Sequence, residues 1–211
     1  MLEIVTFVLG PVSTNCYLIA DSESGDAAVI DPAWDGQLIL EEASTRGWMI
    51  KQLWFTHAHF DHIGGTGEIA RGLKKKPVVA LHTLELDLWR NRGGAQLFGI
   101  GIDPGPEPTF ALAHGMFLEL GSMIFEVRHT PGHTPGHCIF TCLKANVLFS
   151  GDLIFQGSVG RTDLPGGDWE ALVNSIRTQI YILPDETRIL PGHGPDTTVR
   201  EEKENNPFVQ A

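Results

Sequence analysis

Cysteine is scarce in this chain, with three in 211 residues. Cys16, Cys138 and Cys142 cannot complete a disulfide framework. Each lies in an apolar, strand-like run, so we expect buried reduced thiols and a cytosolic protein. A metal role for the pair Cys138 and Cys142 is not expected, because a C-x-x-x-C pair inside a strand has no turn between its thiols. Basic residues are also few: 15 Lys and Arg against 26 Asp and Glu leave a formal charge of −11. That balance argues against a nucleic-acid partner, which would favour a basic patch. No apolar run approaches the roughly 18 residues of a membrane span, so no membrane partner is expected. Residues 1–20 are apolar but carry Glu3, lack a basic start and are broken by Gly10-Pro11 and Ser13-Thr14-Asn15. They read as two strands rather than a secretory signal, and Asn15 before Cys16 argues against a lipoprotein site. No solenoid-period repeat and no linker is present, so one domain spanning 1–211 is expected.

What is present is an alternation of short strands and helices. Strands are expected at residues 2–9, 16–20, 27–31, 52–55, 78–81, 118–120, 124–128, 138–142 and 147–149, with 187–190 as the last. Asp35 is placed to cap a helix through Arg46 that turns Leu38, Ile39 and Ala43 inward. Further helices are expected at residues 65–73 and 83–89. Asp168 caps another through Ile180, with Leu172, Val173 and Ile176 inward. Residues 91–109 are rich in Gly and Pro and show no periodicity, which reads as a long loop of the lid type. Two strand-rich halves closed by helices make an α/β layered sandwich with helices outside.

The densest chemistry lies in Thr56-His57-Ala58-His59-Phe60-Asp61-His62, after the apolar Leu53-Trp54-Phe55. Imidazole and carboxylate are the usual nitrogen and oxygen ligands of zinc and its neighbours. Residues i and i+2 of a strand or tight loop point the same way, so His57 and His59 can grip one metal. Asp61 and His62 follow as the chain turns and can reach a second. Three later groups repeat the pattern of a polar side chain wedged among Gly or Pro at a strand end: His133 in TPGHTPGH, Asp152 in FSGD and His193 in LPGHG. Five histidines and two carboxylates make seven ligands, enough for two metals with about four protein contacts each if one carboxylate bridges.

H-x-H-x-D-H followed by Gly-His-Thr, Gly-Asp and Pro-Gly-His resembles the metallo-β-lactamase superfamily. Residues 130–137, the segment GDLIFQGSVGRTD at 151–163 and PGHGP at 191–195 resemble its glyoxalase II-like hydrolases. The similarity is closest to the short bacterial hydroxyacylglutathione hydrolase-like form, including Asn206-Pro207-Phe208. It runs from Asn15-Cys16-Tyr17-Leu18 to the C-terminus. The resemblance implies a four-layer αββα sandwich. It also implies a first metal on His57, His59 and His133, a second on Asp61, His62 and His193, and Asp152 between them. The ions would be zinc, with iron or manganese also compatible with these ligands.

The activity implied is hydrolysis of a small-molecule thioester such as S-D-lactoylglutathione by a hydroxide shared between the two ions, with Asp61 and Asp152 central to catalysis. Asp152 stands where the main zinc β-lactamases place Cys, and His59 where the flavin-dependent diiron branch uses Glu. The 18 residues after His193 leave no room for the C-terminal helical domain of the long glyoxalase II enzymes. Arg161 is the family's basic residue and the candidate for a substrate carboxylate; Asp163 stands where the longer enzymes have Tyr. The competing reading is a mononuclear-iron, persulfide dioxygenase-like oxidoreductase, whose members share the H-x-H-x-D-H run and the GRTD segment. Asp31 is expected to orient the histidine loop and His137 to orient a ligand. His82 and His114 fall outside every motif. Arg90, just before the 91–109 loop, and Arg92 and Phe98 on it are candidates to line the lid, with a solvated loop the plainer reading.

Overall fold

Residues Thr14–Asp21 are buried along their whole length, as only a strand covered on both faces can be. In the computed structural model, which describes residues 1–210, this strand is β2. It pairs antiparallel with β1 (Leu2–Leu9) and β3 (Asp26–Ile30). Beyond β3 the same sheet turns parallel through β4 (Met49–Trp54), β5 (Val78–His82) and β6 (Phe110–Leu112). Parallel neighbours need a crossover. Helix α1 (Gly36–Arg46) supplies the one from β3 to β4, and the segment holding α2 (Phe60–Ile63) and α3 (Thr66–Gly72) the one from β4 to β5. Helix α4 (Leu86–Arg90) lies between β5 and β6.

These elements, with the turn Glu119–Met123, form one compact unit; Ala113–Leu118 and the chain from Ile124 onward form another. The core of the first is built from Leu18, Val29, Leu53, Phe55, Val79 and their neighbours, closed by Ile39 and Ala43 of α1. Its hold on the 119–123 turn is polar. Buried Asp21 accepts from the Ser122 amide at 2.8 Å, and Gln52 donates to the Glu119 carbonyl at 2.8 Å.

The second sheet is ordered β14-β13-β10-β9-β8-β7. Its strands are β7 (Phe117–Leu120), β8 (Met123–His129), β9 (Cys138–Cys142), β10 (Val147–Gly151), β13 (Arg188–Pro191) and β14 (Thr197–Thr198). A small hairpin of β11 (Ile154–Phe155) and β12 (Ser158–Val159) stands apart. β10 and β13 are parallel, whereas β9 pairs antiparallel with β8 and β10, and β14 with β13. Helix α5 (Trp169–Ser175) widens into a π turn at Ile176–Ile180. Leu172, Ile176 and Ile180 meet Ile139, Leu148 and Ile189 in the second core, each such side chain contributing about 1.5–3 kcal/mol on burial.

The expected α/β class holds: two mixed sheets, each accompanied by helices. Several local expectations need correction. Asp35 stands at the N-cap of α1 in a left-handed conformation, φ 47°, and makes no side-chain cap. Leu38 is exposed while Ile39 and Ala43 are buried, because Leu38 lies five residues from Ala43, off the i, i+4 stripe. Asp168 does cap α5, accepting from the Ala171 amide at 3.0 Å; Val173 is only half-buried. The loop expected at 91–109 contains a 3-10 segment, Arg92–Phe98, that runs on from α4. Gly93 packs so tightly there that a Cβ would lie 2.2 Å from the Phe60 nitrogen, at φ 61°. Strand β6, the short pairs β11–β12 and β14, and helix α6 (Val199–Asn205) were not expected. β14 lies beyond the strand expected to be last. Two- and three-residue strands carry too little periodicity to register in sequence.

Cys16, Cys138 and Cys142 are buried and not disulfide-bonded, and burial pushes the Cys16 thiol well above its ordinary range. Among the described residues no helix is long and apolar enough to cross a membrane.

Candidate metal centre

Both sheets place metal-type side chains at the carboxyl ends of parallel strands, where α/β sheets commonly open their sites. In the first unit, β3 and β4 run side by side. Asp31 follows β3 and Thr56 follows β4. The Asp31 amide donates to the Trp54 carbonyl at 3.0 Å, so the two strand ends lie together. From Thr56 the chain passes through His57, Ala58 and His59 into the single turn α2, which carries Asp61 and His62. His57 and His59 meet edge to face with ring centroids 4.8 Å apart, and His57 and His62 with centroids 4.1 Å apart. The four expected donors of this stretch are therefore together.

Hydrogen bonding decides which ring nitrogen of each histidine faces the centre. Asp31 is a carboxylate and only accepts. Its Oδ1 takes the Thr56 amide at 2.8 Å, and its Oδ2 takes the Thr56 hydroxyl at 2.6 Å and His62 Nδ1–H at 2.9 Å. The Thr56 proton being spent on Asp31, its oxygen accepts from His57 Nδ1–H at 3.0 Å. One aspartate thus sets the tautomers of two histidines, leaving Nε2 of each as a lone-pair donor. Asp31, His57 and His62 also bring donor atoms within 4.8 Å of one another. Asp31 nonetheless has its oxygens taken up by three N–H and O–H groups, which marks it as a support and not a ligand. The orienting role expected for it is met.

In the second unit β10 and β13 are the parallel pair, with Gly151 opposite Pro191. Asp152 follows the first and His193 the second. His133 arrives from the loop after β8. Its Nδ1–H donates to the Arg161 carbonyl at 2.8 Å, so Nε2 carries the lone pair here too. The Asp152 amide donates to His137 Nε2 at 3.2 Å, and His137 Nδ1 meets the Thr130 hydroxyl at 2.9 Å. His137 thus orients Asp152, as expected. Gly160 is required beside it, since a Cβ would fall 1.8 Å from the Asp152 carbonyl.

The donor set fits divalent cations. His62 Nε2 and Asp61 Oδ2 face each other at 3.4 Å. Asp152 Oδ2 faces His133 Nε2 at 3.6 Å and His193 Nε2 at 3.5 Å. Two lone-pair atoms about 2.1 Å from a shared tetrahedral ion lie roughly 3.4 Å apart. Facing acceptors at that spacing repel until a cation joins them.

Three contributors escaped the sequence reading. Thr14 of β2 donates to Asp61 Oδ2 at 2.8 Å. Buried Glu85 accepts from the Ala58 amide at 2.9 Å, pinning the backbone between His57 and His59. Thr56 adjoins the motif and could have been suspected; Thr14 and Glu85 carry no local signal. Arg161 lies in the same segment as its carbonyl bond to His133, but its guanidinium forks onto Asp163 at 2.7 and 2.8 Å. That fork holds the Asp163 carboxyl down at about 2. His82 Nδ1 accepts from the Leu84 amide and His114 Nδ1 from the His129 amide, local structural bonds. Arg90 is forked onto Glu107, and Phe98 lies against Phe60 with centroids 5.2 Å apart.

The metallo-beta-lactamase superfamily model matches residues 9–193, and the chain belongs to that superfamily. It is 37% identical over 205 residues to a Haemophilus influenzae protein named hydroxyacylglutathione hydrolase GloC, covering 93% of each chain. The crystal structure of BLEG-1 B3 metallo-beta-lactamase matches with a TM-score of 0.91 at 36% identity, covering 100% of both chains. That of TTHA1623 in a di-iron-bound form matches at 0.88 and 40% identity, covering 97% of this chain and 100% of that one.

Proposed function

We propose that the protein is a dinuclear metallohydrolase that cleaves a small-molecule thioester such as S-D-lactoylglutathione. Asp152 carries the reading: one carboxylate oxygen faces two histidine Nε2 atoms at 3.5 and 3.6 Å, so it would be within reach of ions held by either histidine. The proposed first set is His57, His59 and His133 and the second Asp61, His62 and His193, with Asp152 common to both. The similarity to GloC supports the thioester. The di-iron-bound form of TTHA1623 supports two ions and leaves the choice of zinc, iron or manganese to supply.

Divalent ions held by such a set would supply Lewis acidity, lowering the pKa of a bound water to about 7. The chain's own residues do the rest. Asp31 and the Arg161 carbonyl hold Nδ1–H of His57, His62 and His133, directly or through Thr56, so Nε2 is presented without reorganisation. Thr14 fixes Asp61 and His137 fixes the Asp152 backbone. A thiolate leaves readily, which removes the need for a strong general acid. Arg161 is the proposed contact for a substrate carboxylate, exchanging or sharing its hold on Asp163. We place the enzyme in the cytosol, acting on a small molecule and not on nucleic acid or membrane.

The test is hydrolysis of S-D-lactoylglutathione, followed by loss of thioester absorbance, on protein of measured metal content. The expected result is turnover with two ions per chain and none above background for Asp152→Asn. Two ions without turnover would move the substrate to other thioesters, lactones or a β-lactam. A single iron, with oxygen uptake on a persulfide, would replace this reading by the oxidoreductase one.

A further inference from the structure

The first unit has a groove that the metal centre does not use, with a cavity of about 730 Å³. Its walls are Leu40 and Ala43 of α1, Trp48 and Ile50 at the start of β4, and Leu73 after α3. Leu40, Trp48 and Leu73 pack on the core yet stay partly exposed. Lys74, Lys75 and Lys76 continue the lining from Leu73. The volume lies within the roughly 300–1,000 Å³ of small-molecule sites.

The charge of this rim is unusual for a chain of net −11. Lys51, also on the groove, is neutralised by Asp26 at 2.5 Å. None of Lys74, Lys75 and Lys76 is in an ion pair among the described residues. Two smaller cavities differ. One, of about 320 Å³, shares Lys76 with the groove, and its other cation, Arg71, is paired with Asp103. In the other, of about 270 Å³, Arg177 donates to the Gln210 carbonyl. The large groove alone among these three joins a partly exposed apolar trough to three uncompensated cations.

We propose that this groove binds a free medium-chain fatty carboxylate, its tail in the trough and its head at Lys74–Lys76. The apolar walls and the cationic end ask for both halves of one amphiphile. An acidic peptide would satisfy the lysines but leave the trough unfilled. Ile50 lies near the start of β4, whose far end leads to His57, a separation of roughly 20 Å at about 3.3 Å per residue. The ligand therefore occupies a site of its own, independent of the hydrolase reading.

The experiment is calorimetric titration of the whole protein with octanoate, decanoate and dodecanoate below their micelle concentrations. One saturable site is expected, tightening about fourfold per added methylene and weakening with salt. Lys74→Gln, Lys75→Gln and Lys76→Gln together should weaken binding at least tenfold and keep the methylene increment. Ser44→Trp, which fills the rim from the exposed side of α1, should abolish binding with the lysines intact; far-ultraviolet dichroism checks that each variant is folded. The proposal is overturned by no saturable binding, by equal affinity in the lysine variant, or by binding to anionic vesicles without binding to the monomeric acids.

Discussion

The two units solve one problem in different ways. In the first, four donors come from a single heptapeptide, and their support comes from elsewhere: Asp31 across a strand pair, Thr14 from β2 and Glu85 from beyond β5. In the second, His133, Asp152 and His193 come from three separate strand ends, and each contact that supports them has the backbone on one side: the Arg161 carbonyl takes the His133 ring, and His137 takes the Asp152 amide. Both use adjacent parallel strands, β3 with β4 and β10 with β13, to bring two post-strand loops side by side. A contiguous donor set needs side chains from other strands to fix its tautomers, because its neighbours in a tight turn are themselves candidate donors. In the dispersed set the β10–β13 register brings Asp152 and His193 together, and backbone groups of the neighbouring loops do the fixing.

That contrast can be broken or sharpened by substitution. The largest expected effects are on the two cores. Leu53→Ala in the first and Leu148→Ala in the second should each cost about 2–5 kcal/mol in urea unfolding, both side chains being fully buried. A cost under about 1 kcal/mol at either would show that its core does not hold its strand ends in register. Next comes the remote support. Asp31→Asn keeps a residue that tolerates positive φ but turns an N–H toward Thr56 or His62. Zinc affinity, read by chelator competition, should fall about 10–100-fold. His137→Gln, which disturbs one backbone contact, should cost less than that. Equal losses would erase the distinction between the two kinds of support.

Asp163→Ala releases the exposed Arg161 guanidinium. The KM for an anionic thioester should fall by no more than about fivefold, the scale of one exposed ion pair, with kcat unchanged. An unaltered KM would remove Arg161 from substrate binding. The smallest effect is a pH dependence. Hydrogen bonds from the Ser122 and Glu23 amides and the N-terminus hold the Asp21 carboxyl below its usual range. Its stabilisation is therefore complete above the ordinary carboxylate value of about 3.9. It shrinks as pH falls through the lower folded value. The Tm gap between wild type and Asp21→Asn should be full at neutral pH and close in acid; a gap that persists in strong acid would mean the carboxylate charge is not what holds the 119–123 turn.

What the chain's order of residues determined alone was the donor types of the candidate centre and the class of the fold. His57, His59, Asp61 and His62 are legible because nothing in core packing calls for four such groups in a row. His133, Asp152 and His193 are legible because each is set among Gly or Pro after an apolar run. The role of Asp31 could be suspected from its place before Pro32. Tertiary structure alone decided the rest. Thr14 and Glu85 look like any strand threonine and helix glutamate until β2 and the start of α4 bring them to the loop. Arg161 reads as a free cation until its fork with Asp163 is seen. The lysines after Leu73 read as a solvated run until α1 and β4 wall the groove beside them. The division has one physical cause. Ligand identity is a property of single side chains, whereas tautomer, charge compensation and cavity shape depend on groups far apart in sequence that only the folded strand register makes neighbours.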